Sequence, residues 1–451
     1  MSDDSLNAAL VAALAAIVGE AEVLTDPART LRFRTGMRFG NGPVAAVVRP
    51  ATLVEQWRVL QACIAAGAAV IMQAANTGLT GGSTPDGDDY DRPLVIINTM
   101  RVTGLHLIDE GRQVVCLPGT TLYDLERALA PIGREPHSVI GSSCIGASVF
   151  GGICNNSGGA LIRRGPAYTE LALFARVDEA GRLQLVNHLG IALGGDPETI
   201  LDRVERGAFT PTDIAHDPAR AASDHRYADH VRQIDAATPA RFNADPGRLF
   251  EASGSAGKVM LLAARLDTFA RDADSAVFYI GTNDPAELED LRRDMLGGFT
   301  TLPVSAEYMH RDAFDIAAVY GKDTFLAIRH LGTDRLPAMF AMKARVDALA
   351  AKLKILPRHL SDRVMQAGSR LFPSHLPRRM VDYRDRFEHH LMLRTSGDGI
   401  AETRAYLNGK FPSVTGDAFE CTPDEGAKAF LHRFAAAGAA ITLATSAGSN
   451  R

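Results

Sequence analysis

From Val44 to Leu117 short apolar runs alternate with stretches of helical periodicity. Val44 to Val48 has the length and composition of a strand. Thr52-Leu53-Val54-Glu55 then has the spacing of a capping box, in which a hydroxyl and a carboxylate three residues apart satisfy the first free N–H groups of a helix. That helix is expected to run to about Ala66 and to stop at Gly67. Ala69 to Met72 leads into a loop rich in Gly, Asn and Asp, and Leu94 to Asn98 and Val114 to Leu117 are again runs of buried-strand type. A helix should follow Thr120-Thr121 and end near Pro131, while Leu171 to Val177 and Arg182 to Val186 flank Glu179-Ala180-Gly181 as a hairpin. The mixture points to α/β or α+β architecture.

From Ser275 onward the pattern changes: Val277 to Gly281 reads as a strand and Pro285 to Leu296 as an amphipathic helix with mixed charges. At 451 residues the chain exceeds one ordinary hydrophobic core, so two domains are expected, with the boundary near Asp267. Aromatics make up only 6% of the residues and glycines number 41, which fits many tight turns and close backbone approaches. No basic residue precedes the apolar stretch Ala8 to Val18, so a secretory signal is not expected and the chain should stay inside the cell. That stretch and the small-residue run Phe434 to Gly448 are both shorter than the roughly 20 residues that cross a bilayer. Cys63, Cys116, Cys144, Cys154 and Cys421 form no CxxC pair and read as small core residues of a reducing compartment, with no metal.

Charge is distributed unevenly. Residues 1–328 carry 29 Lys/Arg against 41 Asp/Glu, whereas residues 329–390 carry 13 against 6. In the centre of the second stretch, from Lys352 to Arg379, Lys352, Lys354, Arg358, Arg363, Arg370, Arg378 and Arg379 accompany Leu353, Ile355, Leu356, Leu371 and Phe372, with Asp362 the one acid. Cations beside apolar side chains suit an anionic lipid leaflet, each contributing about 1 kcal/mol near the surface. A solvated basic face, or a partner for the acidic domain, explains the same pattern. Nucleic acid is not expected, because interleaved stacking aromatics and a reader motif are missing.

Three loops carry the candidate chemistry. Gln73 to Ser83, with Ala74, Ala75, Asn76, Thr77, Gly78, Gly82 and Ser83, directly follows a strand and exposes successive N–H groups without bulk, as a diphosphate requires. Gly141 to Gly159 repeats the Gly, Ser and Asn composition, and Ser253 to Lys258 is a small-residue turn entering the apolar run Val259 to Leu266. Separated cradles imply an elongated ligand. No GxGxxG is present, and Gly257-Lys258 lacks the Ser or Thr of a P-loop, so neither standard nucleotide motif applies.

The strand and loop around Gln73 to Ser83, Pro118-Gly119-Thr120-Thr121-Leu122 and Gly151 to Gly159 together resemble the FAD-binding domain of the vanillyl-alcohol-oxidase type. More narrowly, Gln73 to Ser83, Arg134 to Gly141, Thr238 to Pro246, Glu307 to Asp312 and Phe430 to Phe434 resemble the quinone-dependent D-lactate dehydrogenase family, over nearly the whole chain to about Ala440. The resemblance implies an α+β fold: a two-subdomain FAD-binding domain over 1–267, and a cap or substrate domain over 268–451 that holds the basic membrane-contact stretch 329–390. It implies oxidation of D-lactate to pyruvate by FAD, electrons passing to a quinone, on the cytoplasmic face of the inner membrane. It also implies that Ala74 to Gly78, Gly82 and Ser83 contact the FAD phosphates, that Gly141, Ser148 and Gly158 line the flavin site, and that Leu261 touches the adenine end through its backbone. Since no His lies between Gln73 and Pro85, FAD is expected to be noncovalent.

Oxidising a 2-hydroxy acid needs a cation for the carboxylate and a base for the hydroxyl proton. His310-Arg311 and His432-Arg433 offer both, with Arg433 the first choice for the carboxylate and His310 or His432 for the proton; each is also readable as an ordinary surface or ion-paired residue. Beyond Ala440 the likeness lapses into Ile441 to Arg451, and a later His-rich segment of the family is not present. Three readings follow: a respiratory D-lactate dehydrogenase, a dehydrogenase of another D-2-hydroxy acid, and a shortened, non-catalytic FAD-binding remnant.

Overall fold

The computed structural model of the chain describes residues 3–137, 146–158, 161–240, 245–331 and 374–446. It divides into two compact units. The first comprises Met1–Gly159, Arg164–His225 and Arg241–Arg271, the second Ala160–Arg163, Arg226–Ala240 and Asp272–Arg451. The main change of unit thus falls at 271/272, and two short excursions that carry no sequence signal belong to the second unit.

In the first unit β1 (Val23–Leu24), β2 (Ala46–Val48), β3 (Ala69–Gln73) and β4 (Leu94–Asn98) form a sheet in the order β1-β2-β4-β3, with β2, β4 and β3 parallel. Alternate residues face opposite ways, as a strand requires. Ala46, Val48, Val95 and Ile97 pack under Leu10, Leu14, Val59 and Cys63 of the helices Asp3–Val18 and Leu53–Ala65. Val47 and Ile96 meet Leu24 and Phe33 on the other face. Burial on both faces is why β4 is apolar from Leu94 to Ile97.

A second, five-stranded sheet uses β5 (Leu105–Ile108), β6 (Gln113–Cys116), β8 (Ala172–Val177), β9 (Leu183–Asn187) and β10 (Met260–Asp267) in the order β5-β6-β10-β8-β9, all neighbours antiparallel. Val115 and Leu173 face Leu53, Trp57 and Leu60 of the helix Leu53–Ala65, which thereby contributes to both sheets. Val114, Cys116 and Phe174 face Leu122, Leu125, Leu129, Val149, Phe150 and Ile153. The short strands β7 (Arg134–Glu135) and β11 (Phe269–Ala270) pair beside this sheet.

Start signals behave largely as the sequence indicates. Thr121 and Asp124 form a complete capping box. At Thr52 the hydroxyl accepts from Glu55 N at 3.0 Å, but Glu55 Oε2 accepts from Ala51 N at 2.6 Å, one residue earlier than the reciprocal box requires. The next free donor, Leu53 N, is instead taken by Glu205 Oε2 at 2.6 Å.

The second unit is built on an antiparallel sheet of β12 (Ser275–Thr282), β13 (Ser305–His310), β14 (His389–Ser396) and β15 (Gly416–Glu420), ordered β13-β14-β12-β15. Phe278, Ile280 and Leu393 pack with Leu291, Met295 and Leu407 of the helices Pro285–Gly298 and Asp398–Lys410. Tyr279, Met309 and Met392 face Phe314, Met380, Tyr383 and Ala429 from the helices Arg311–Tyr320, Arg378–Arg386 and Pro423–Ser446. Among the described residues no helix is long and apolar enough to cross a membrane.

The second of these cores contains imidazoles. His390 is fully buried against Tyr279 and Phe314, with ring centroids 5.7 and 5.6 Å away, and His432 is fully buried with its ring 4.3 Å from Phe314. Burial lowers their proton affinity, to about 4 for His390 and about 3 for His432. Unfolded histidines titrate near about 6.5, so the unfolded chain binds more protons than the folded one below that pH, and stability is lost as pH falls. The midpoint of urea unfolding is expected to drop between pH 7 and pH 5, and His432→Phe to reduce that drop; identical pH dependence in the two proteins would contradict the assignment.

Candidate functional site

The end of β3 is fixed by a side-chain network. Buried Gln73 donates through Nε2 to Phe33 O at 2.7 Å and to Ser83 O at 2.6 Å, so one amide ties both ends of the following loop. Asn98 Nδ2, at the end of β4, donates to Gln73 Oε1 at 3.3 Å and Ala74 O at 3.0 Å. Asn76 adopts φ +54°, which Asn tolerates better than most residues. Its Nδ2 donates to Thr35 O at 2.9 Å and its Oδ1 accepts from Ser83 Oγ at 2.9 Å.

These contacts use side chains and carbonyls and leave the main-chain donors free. Among the described residues no backbone N–H from Ala74 to Ser83 has a protein acceptor. A run of such donors forms an anion-binding concavity.

The other loops join this one within the first unit. Thr99 N donates to Gln73 O at 2.8 Å, and Gly119 lies so close to Thr99 that a Cβ would sit 2.7 Å from Thr99 O. Any side chain at 119 would push Pro118–Thr120 off the base of the first loop. Thr120 O in turn accepts from Val149 N at 3.0 Å, where the helix Val149–Cys154 begins. Buried Ser148 caps that helix, its Oγ accepting from Gly151 N at 3.0 Å. Gly254 N and Ala256 N donate to Ile153 O and Cys154 O at 3.0 and 3.1 Å, which docks the third small-residue turn on the second loop.

Asn156, at φ +46°, donates to Arg248 O at 3.3 Å, while its buried Oδ1 has no protein partner and remains an acceptor for a ligand. Gly158 is exposed at the end of this loop, and Gly141 lies outside the described residues. The Leu261 side chain is in the core. Its main chain pairs with Phe174 of β8 on one side, and on the other side β6 pairs with β10 only from Ala264 onward. Free donors at the first loop, a buried unpaired acceptor at the second and main-chain groups of Leu261 that β6 does not pair fit a long dinucleotide such as FAD.

The sequence-derived catalytic residues lie in the second unit. His310 ends β13, half-exposed, and its Nδ1 accepts from Asp312 N at 3.2 Å. Arg433 donates through Nε to Tyr308 O at 3.0 Å and lies 3.2 Å from Glu307 Oε2, so its guanidinium already faces a carboxylate. His432 is different. It is fully buried in the core, out of reach of a solvent-borne substrate, and burial lowers its proton affinity, so it is an unsuitable base. Adjacent positions on a helix point about 100° apart, so His432 and Arg433 fall on different faces.

Two residues that the sequence reading missed complete the His310 cluster. His389, opposite His310 in the β13–β14 register, has its ring 5.4 Å away, and its Nδ1 is 2.8 Å from Tyr308 Oη. The signal was the pair His389-His390 in a strand, of which alternation buries one and leaves the other accessible. Asn98 was also missed, although a polar residue closing an apolar run marks a strand end with a specific task.

Four of the five described arginines of the basic stretch face carboxylates. Arg329 pairs with Asp424, Arg379 with Glu425, Arg384 with Asp315 and Asp385, and Arg386 with Asp417. The remainder of 329–390, including Lys352, Lys354, Arg358, Arg363 and Arg370, lies outside the described residues.

Removing the Asn76 side chain deletes the contacts that hold the first loop open. Asn76→Ala is expected to weaken FAD binding at least about tenfold, the worth of one to two hydrogen bonds, with the far-ultraviolet circular dichroism unchanged. Equal affinity by flavin-fluorescence titration would refute this role.

Comparison with known proteins agrees with this geometry. Residues 44–184 match a family model described as an FAD binding domain, and residues 277–449 match one described as D-lactate dehydrogenase, membrane binding. The second match continues past Ala440, where the sequence reading let the likeness lapse. Quinone-dependent D-lactate dehydrogenase of Escherichia coli is 58% identical over 435 residues, 96% of this chain and 76% of that protein. The Haemophilus influenzae protein of the same name is 55% identical, over 96% of this chain and 77% of its own length. Among solved structures, p-cresol methylhydroxylase aligns at a TM-score of 0.54 with 11% identity, over 96% of this chain and 72% of that one. Alkyldihydroxyacetonephosphate synthase aligns at 0.55 with 11% identity, over 94% and 65%. These last two share the fold, that of the vanillyl-alcohol-oxidase type. With this much identity over this much of both chains, the chain belongs to the quinone-dependent D-lactate dehydrogenase family.

Proposed function

We propose that this chain oxidises D-lactate to pyruvate with noncovalently bound FAD and passes the electrons to a quinone while peripherally attached to a membrane. The observation that carries the reading is the acceptor-free run of N–H groups from Ala74 to Ser83, in a chain that is 58% identical to a quinone-dependent D-lactate dehydrogenase. Bound FAD supplies the hydride acceptor. Ala74, Ala75, Asn76, Thr77, Gly78, Gly82 and Ser83 hold its phosphates through main-chain donors. Ser148 and Gly158, with Gly141, border the flavin, and Leu261 presents main-chain groups to the adenine.

For the substrate, Arg433 binds the carboxylate and His310, with His389 and Tyr308 beside it, takes the hydroxyl proton. Its accessibility favours His310 over His432. His310→Gln is expected to lower kcat at least about a hundredfold with KM little changed, the usual span of lost general-base catalysis. Arg433→Met is expected to raise KM for D-lactate. Anaerobic D-lactate added to the purified holoprotein should bleach the flavin; bleaching only by a bulkier D-2-hydroxy acid would replace the substrate, and a bound but unresponsive flavin would overturn the activity.

The lipid contact falls to the cations between Arg335 and Arg370, since Arg329, Arg379, Arg384 and Arg386, which flank them, carry carboxylate partners. Anionic phospholipid, not nucleic acid, is the partner, which places the enzyme on the cytoplasmic face of the inner membrane. Co-sedimentation should occur with vesicles containing phosphatidylglycerol, decline in salt, and be weak with phosphatidylcholine alone; salt-insensitive binding would argue against a charge-driven contact.

A further inference from the structure

The first loop is rich in donors but contains no cation: from Ala74 to Ser83 there is neither Lys nor Arg, and Asp86, Asp88, Asp89 and Asp91 follow immediately. A diphosphate held there by N–H groups alone would keep its charge next to four carboxylates. The missing countercharge must come from another segment.

The segment seated on the loop is the turn Thr35–Asn41. Gly36 N donates to Gly40 O at 2.8 Å, and Thr35 and Asn41 form a bridge. The turn is held to the loop by Asn76 Nδ2 on Thr35 O at 2.9 Å, and to the continuing chain by Gly87 N on Asn41 O at 3.0 Å. Its fit is tight. A Cβ at Gly36 would sit 1.9 Å from Phe39 O, and one at Gly40, which has φ +89°, would sit 2.2 Å from Thr84 Oγ1.

This constrained turn presents large side chains to solvent. Met37 is 45% and Phe39 60% exposed, and Leu79 of the first loop is 44% exposed. Phe39 Cβ lies 4.0 Å from where a Cβ of Gly81 would be. Between Met37 and Phe39 stands Arg38, exposed and 5.7 Å from the Phe39 ring, with no ion pair among the described residues. Apolar side chains and a lone guanidinium, rigidly placed beside unoccupied N–H groups, match one occupant: a doubly charged phosphate ester.

We infer that the Thr35–Asn41 turn is a second wall of the cofactor site, in which Arg38 neutralises the FAD diphosphate and Phe39, Met37 and Leu79 shield that ion pair from water. Exclusion of water strengthens the charge-assisted hydrogen bonds between guanidinium and phosphate. This rests on the FAD reading above.

The test is FAD titration of flavin-stripped protein, followed by fluorescence, for wild type, Arg38→Gln, Arg38→Lys and Phe39→Ala, with Leu31→Ala as a control for an exposed apolar side chain on the preceding helix. Arg38→Gln should raise the Kd for FAD about tenfold, Arg38→Lys less, and Phe39→Ala severalfold, while Leu31→Ala leaves it unchanged. ADP should compete with FAD less well in Arg38→Gln than in wild type, and thermal unfolding of the stripped variants should match wild type. Wild type that takes up no FAD would sink the cofactor reading itself. Wild type that binds while Arg38→Gln and Phe39→Ala bind equally well would overturn the wall and leave that reading standing.

Discussion

An anion held by main-chain N–H groups requires that nothing else in the protein use them, yet a loop with unused donors has no internal bonds to fix its shape. Here the conflict is resolved by side chains that bind carbonyls and one another. Gln73 clasps the loop from Phe33 O to Ser83 O, Asn98 holds Ala74 O, and Asn76 links Thr35 to Ser83. The positions of Thr99, Gly119 and the Ser148 cap follow outward from that base, so the remainder of the site is set by three carboxamides, at the ends of β3 and β4 and in the loop after β3.

The elements with strong local causes were legible in the sequence. β4 is apolar at every position before Asn98 because helices cover both faces, and the helix at Leu122 is announced by Thr121 and Asp124. The loops were legible for the same reason: Gly, Ser and Asn mark backbone that must stay uncovered. What could not be read is pairing over distance. That Asn98 reaches Gln73, that His389 lies opposite His310, and that His432 is interior depend on register and on which helix face meets the sheet. Residues 226–240 join the second unit through contacts such as Arg232 with Phe299 O, for which no local signal exists.

The second unit shows how far charge counts mislead when partners are distant in sequence. Residues 329–390 look uniformly basic along the chain, but Arg379, Arg384 and Arg386 meet Glu425, Asp315 and Asp417 in space. The exposed pairs among them contribute little stability, about 0–1 kcal/mol each. Their effect is to remove these cations from the surface field.

The helix Leu53–Ala65 places Val59 and Cys63 in the core of the parallel sheet and Leu53, Trp57 and Leu60 in that of the antiparallel one. Leu10 and Leu14 complete the cover of the first sheet and Ile200, Leu201 and Val204 that of the second, while this helix takes part in both. Loss of this helix would thin both cores at once, so the helix acts as a shared keel that couples the stability of the two sheets.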